Sequence, residues 1–150
     1  MKSVYSYIIL FISIIFLFSC NQQRKNSADK EAVKDGIFIH ISHGSDDPHR
    51  VLMALSLAEK MSEDKDVILY FDIKGIEVLL KDGPDLSFAQ FTSSKEQVQK
   101  LLGKGITIMA CPGCLKAAEK TPDDLREGII IANKEKFFNF TSGRILSIDY

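Results

Sequence analysis

Two cysteines three positions apart, Cys111 and Cys114, enclose Pro112 and Gly113 and offer the clearest chemistry in the chain. A thiolate is both a nucleophile and a metal ligand, so what matters is whether the surroundings favour the ionised sulfur. The apolar run 106–110 leads straight into the motif and a helical pattern starts at Leu115. That order predicts both thiols in the first turn of a helix, at the carboxyl end of a strand. Unpaired N–H groups and the helix dipole stabilise an anion there. Proline suits the first helical position because the N–H it lacks would have had no partner. Gly113 leaves room for a substrate or another chain. The same spacing also suits a structural disulfide, half of a metal site, or two small buried apolar groups.

Supporting groups are fewer. Lys116 stands near the helix start, where its charge can help hold a thiolate, although a solvated lysine is the plainer reading. His43 lies in a polar turn after the first strand and can serve as proton donor, hydrogen-bond partner or, with the thiols, metal ligand. His49 follows in the same stretch, His40 reads as structural inside an apolar strand, and Asp46 and Asp47 read as helix caps. Neither paired carboxylates, nor a glycine-rich phosphate loop, nor a serine triad emerges, and no cofactor is implied.

The elements that must position these groups read as strands alternating with helices. A strand at 37–41 is followed by Pro48 behind Asp47, then by Val51, Leu52, Ala54, Leu55, Ala58 and Met61 at helical steps. A second strand, 67–71, is apolar throughout, as parallel strands covered on both faces tend to be. A short helix is expected at 75–80, and no regular element at 85–94. Ser94 with Gln97 reads as a capping box opening a helix to Leu102, with Gly103 just past its end. After the cysteine helix come a capped turn at 121–125, a strand at 129–132, a helix from Asn133 to Phe140, and a last strand at 144–148. This alternation predicts a three-layer α/β domain over residues 36–150, a mostly parallel five-stranded sheet with helices on both faces. Ligands in such sheets bind beyond the carboxyl ends of the strands, so His43 and His49 share a rim with the cysteines. Whether they meet depends on strand order.

The 150 residues suffice for one such domain, and 19 Lys and Arg against 20 Asp and Glu leave no field to attract nucleic acid. Residues 1–20 read as a targeting segment: Met1-Lys2, then a nearly unbroken apolar run at 4–18. As a helix that run covers roughly 22 Å, short of the roughly 30 Å hydrocarbon core. Leu17-Phe18-Ser19-Cys20 resembles the lipobox of bacterial lipoproteins. The resemblance implies acylation at Cys20 and a chain anchored through that lipid on the extracytoplasmic side of the cell envelope. Residues 21–35 are polar and charged and read as a tether of roughly 20 Å. Cys111 and Cys114 are then the two remaining thiols in an oxidising compartment.

Residues 110–118, Ala-Cys-Pro-Gly-Cys-Leu-Lys-Ala-Ala, with Thr121-Pro122-Asp123-Asp124-Leu125, Gly128 before an isoleucine-rich strand and Asn133, look like the carboxyl half of the DsrE/DsrF-like sulfur-relay family. The opening strand, His-Gly loop and helix extend the resemblance over 36–150. It implies a flavodoxin-like sheet, homotrimers or homohexamers, and a cysteine that carries sulfane sulfur as a persulfide, Cys114 matching the family's position best. Helix-start electrostatics favour Cys111 as the attacking thiolate, so the two sulfurs are expected to act together in sulfur transfer or thiol–disulfide exchange with a sulfur donor, acceptor or redox protein. The alternatives are a metal-binding module built from the cysteine pair and a loop histidine, and a non-catalytic oligomeric envelope subunit.

Overall fold

The computed structural model describes residues 33–150. The targeting segment, Cys20 and most of the tether lie outside the described residues. Strand β1 (Gly36–Ile41) is followed by helix α1 (Pro48–Met61), strand β2 (Asp66–Phe71), a 3-10 turn (Ile73–Gly75) and helix α2 (Ile76–Leu79). Helix α3 (Ser94–Gly103), strand β3 (Thr107–Ala110), helix α4 (Pro112–Ala117), a 3-10 turn (Pro122–Asp124), strand β4 (Ile130–Ile131), helix α5 (Lys134–Phe138) and strand β5 (Ile145–Asp149) complete the chain. The five strands form one sheet in the order β4-β3-β2-β1-β5, and every pairing is parallel. The predicted α/β class and strand count are those observed. Residues Lys34–Tyr150 make one compact unit.

Register decides which side chains share a face. Ile37, Ile39 and Ile41 of β1 stand beside Val67, Leu69 and Phe71 of β2, and Leu69 and Phe71 beside Ile108 and Ala110 of β3. This face packs against Val51, Ala54, Leu55 and Ala58 of α1 and Val98 and Leu101 of α3 to make the main core. Ile39, Ile41, Leu55, Leu69, Phe71 and Ile108 are fully buried, each stabilising the fold by about 1.5–3 kcal/mol relative to exposure. Alternation puts Phe38, His40, Tyr70 and Met109 on the opposite face. That side is covered by α5, whose Phe137 ring lies 5.5 Å from Phe38 and 5.1 Å from Tyr70.

The entry of α1 is as expected: Asp47 caps it, its carboxylate accepting the Arg50 N–H at 3.2 Å, with Pro48 at the first position. The entry of α3 is not. Ser93 is the N-cap and makes no side-chain capping bond. Ser94 is fully buried and its hydroxyl accepts the Leu86 N–H at 2.9 Å, pinning the irregular 85–93 segment to the helix. Gln97 reaches Thr92 O and Ser56 instead of turning back to the helix start. Asp85 takes the capping role by accepting the Lys95 N–H at 2.9 Å. Burial of both polar residues overrides the local pattern, since a buried hydroxyl or amide needs partners wherever they lie. At the other end Gly103 is helical, and Gly105, at φ +77°, makes the left-handed turn.

Candidate functional site

The strand–motif–helix junction is formed as the spacing implied. Cys111 leaves β3 in an extended conformation and becomes the N-cap of α4, with Pro112 in the first position. Leu115, one turn on, is buried in the core and fixes the helix start beneath the rim. Both cysteines are free thiols and half-buried, while Pro112 and Gly113 between them are exposed. The pair is therefore accessible from one side and packed on the other.

The two sulfurs stand in different environments. Cys111 Sγ leans over the helix start and accepts the Cys114 N–H at 3.4 Å. Continuing the alternation of β3, Cys111 falls on the face of Met109 and Tyr70, and the nearby Tyr70 hydroxyl favours its thiolate. Burial pushes the Cys111 thiol up, but the Tyr70 hydroxyl, the Cys114 N–H and thiol, and the Gly113 N–H outweigh it and leave Cys111 below its ordinary value. Cys114 moves the other way. Burial raises it, the Ile73 N–H at 3.2 Å opposes the rise, and the neighbouring Cys111 sulfur and Asp72 carboxylate add to it. Below the ordinary thiol range the pair thus separates into a sulfur inclined to ionise and one inclined to keep its proton. The helix dipole contributes little, because α4 spans only six residues. The Gly113 and Cys114 N–H groups at the start of α4 play the part the sequence assigned to the helix start, and Tyr70 of β2 adds to them.

Tyr70 belongs to a larger cluster. Burial and the adjoining Cys111 sulfur raise its hydroxyl well above the ordinary phenol value, so it remains a donor over the whole working pH range. His40 pairs in register with Tyr70 and stacks on it, ring centroids 5.6 Å apart. Its Nδ1 lies 2.8 Å from Asp149 Oδ1 and its Nε2 2.9 Å from Asp72 Oδ1. The Asp72 contact is an ion-pair approach with imperfect hydrogen-bond alignment, since neither of these two buried atoms has a well-aligned partner. Burial lowers the imidazole, but bonds to Asp72 and Asp149 more than compensate, so His40 is held above its ordinary value. The expectation that His40 is only structural captures its bridge across three strands, but not its place behind Tyr70.

The donor to Cys114 is also unusual. Ile73 has φ +43°, a region that β-branched residues rarely enter, and its side chain is 67% exposed. The turn is clamped by the Lys74 N–H donating to Ser42 O at 3.1 Å, and by Gly75, where a Cβ would lie 2.4 Å from Ile41 O. This geometry aims the Ile73 N–H at Cys114.

The other predicted groups are elsewhere. His43 Nδ1 faces the Asp46 carboxylate at 2.9 Å, within its own turn. His49 stacks on Phe88 at 4.4 Å. Strand order explains their separation from the thiols: β2 stands between β1 and β3, so the groups beside Cys111 come from β2. Lys116 is exposed on α4, and no hydrogen bond joins it to either thiol. Among the described residues no three His, Cys, Asp or Glu side chains are grouped to hold a metal ion, so the metal-binding arrangement of both thiols with a loop histidine is not assembled. Tyr70, Asp72, Asp149 and the Ile73 N–H were missed. Their one signal in the sequence was polar residues closing apolar strands at the carboxyl ends, where ligands of such sheets bind.

Solved structures that share this architecture include the following two. The ychN protein from E. coli superposes with a TM-score of 0.56 at 13% identity, covering 77% of this chain and 99% of that one. A protein of unknown function, MTH1491 from Methanobacterium thermoautotrophicum, superposes with a TM-score of 0.53 at 19% identity, again covering 77% of this chain and 99% of that one. No protein-family model matches the chain, and no curated protein matches it. The chain is similar to both solved structures in fold, from end to end of each.

Proposed function

We propose that this protein is a DsrE-like sulfur-handling domain, lipid-anchored through Cys20 on the extracytoplasmic side of a bacterial envelope, in which Cys111 accepts sulfane sulfur with Cys114 at its side. The observation that carries this reading is the unlike pair: a half-buried Cys111 sulfur that accepts the Cys114 N–H beside the Tyr70 hydroxyl and is inclined to ionise, next to a Cys114 thiol inclined to keep its proton. The Cys111 thiolate attacks the outer sulfur of a persulfide R–S–SH, forming the Cys111 persulfide and expelling RS⁻. Attack on a disulfide by the same thiolate forms a mixed disulfide and expels one thiolate. The resemblance over 36–150 and the fold shared with the ychN protein support the sulfur-relay class. Homo-oligomers fit the same reading, with the exposed Ile145 and Leu146 of edge strand β5 as apolar surface for contact between copies.

Alkylation of the reduced protein near neutral pH tests the assignment. Cys114→Ser, which retains Cys111, reacts much faster than Cys111→Ser. Equally slow labelling of both, matching that of the fully unreactive buried thiols of a control protein, overturns it.

A further inference from the structure

We propose that a persulfide formed on Cys111 is reduced in place by Cys114, so that the sulfane sulfur leaves as sulfide and the site ends each turnover as a Cys111–Cys114 disulfide. This rests on sulfane acceptance by Cys111 and names its product: the site discharges sulfur instead of handing it on. Both residues are free thiols, and Cys111 Sγ already sits over the Cys114 backbone, 3.4 Å from its nitrogen. The two thiols also interact directly, so a persulfide on Cys111 has its inner sulfur within reach of the Cys114 sulfur. Cys114 is the protonated member of the pair, so it leaves the first step to Cys111. It becomes the nucleophile once Cys111 is bonded to sulfur.

In the second step Cys114 gives its proton to solvent and attacks the inner sulfur, the Cys111 Sγ. The Cys111–Cys114 bond forms, the bond from Sγ to the outer sulfur breaks, and the electron pair leaves with HS⁻. In sum, R–S–SH and the dithiol become RSH, the disulfide and H₂S. The two thiols lose the electrons that the sulfane sulfur gains. The Tyr70 hydroxyl, on the Cys111 face of the sheet, is available to donate to the departing HS⁻. A dithiol reductant of the thioredoxin class of chemistry returns the site to its starting state.

The experiment treats the reduced, desalted protein with one equivalent of cysteine persulfide and reads sulfide and intact mass. Wild type releases one equivalent of sulfide per chain and becomes lighter by two hydrogens. Cys114→Ser and Cys114→Ala, both checked for native thermal unfolding, gain one sulfur atom and release none. Wild type holding an added sulfur without sulfide release, while the Cys114 variants also hold it, overturns in-place reduction and leaves sulfane acceptance standing. If neither wild type nor the Cys114 variants take up or discharge sulfur, sulfane acceptance itself fails and this step falls with it.

Discussion

Replacing Tyr70 by Phe removes one oxygen and tests how Cys111 is made acidic. The ring contacts survive the change, because the stacking on His40 and the edge contact with Phe137 belong to the ring. What disappears is the hydroxyl that favours the Cys111 thiolate. A hydrogen bond to a charged group is worth about 1.5–3 kcal/mol. Cys111 is only half-buried, so solvent takes part of the lost donor's place and the lower end applies. At about 1.4 kcal/mol per factor of ten this disfavours ionisation of Cys111 about tenfold. At pH values below the pKa, the thiolate fraction and the alkylation rate then fall about tenfold. The assay is the pH profile of iodoacetamide labelling in a Cys114→Ser background, where Cys111 reports alone. Phe at 70 moves the midpoint of that profile to higher pH and leaves thermal unfolding nearly unchanged. An unmoved midpoint refutes the claim that β2 supplies the stabilising bond and returns the explanation to the motif's own backbone.

The remaining predictions concern the groups around that bond. His40 is raised above its unfolded value of 6.5, so its contribution to stability is fully present below about pH 6.5 and is lost as pH rises through the folded value. Asp72, Asp149 and Tyr70 face it, and Cys111, beyond Tyr70, titrates with the opposite sign, so the comparison belongs in a Cys111→Ser background. There His40→Gln flattens the decline in thermal stability between about pH 6 and pH 8, and an undiminished decline assigns it to another group. Ile73→Gly relieves a left-handed conformation that costs an L-residue about 1–2 kcal/mol, against about 0.5–1 kcal/mol of added chain entropy. Denaturant unfolding shows it equal to wild type or more stable by up to about 1.5 kcal/mol. A loss larger than that means the exposed Ile73 side chain makes a contact that outweighs its backbone strain.

The fold was legible because its elements announce themselves in one dimension. Asp47-Pro48 opens α1, the run 67–71 has no polar interruption, and Thr121 and Asp124 reciprocate as a capping box. Errors fell where three-dimensional burial chose the partner, as at Ser94 and Gln97, whose side chains bond across the 85–93 loop and α1. The site divides in the same way. Cys111 and Cys114 are visible as a motif, but the neighbours that make them unlike are visible only in register.

Sheet order is the step that converts one into the other. With β2 between β1 and β3, parallel pairing sets His40 beside Tyr70 and Tyr70 beside Met109, two residues before Cys111. Because alternation returns the same face every second residue, the line His40, Tyr70, Cys111 forms without any of the three being near another in sequence. The loop histidine lacks that line: His43 lies beyond the end of β1 and is satisfied locally by Asp46. A single-residue slip of β2 would turn Tyr70 into the α1 side of the sheet and bring Leu69 or Phe71 to the thiol. The apolar residues that bury Leu69 and Phe71 beneath α1 and α3 are therefore what keep a hydroxyl, and not a hydrocarbon, against Cys111. Core packing and thiol chemistry are in this sense one constraint, enforced by the same alternation.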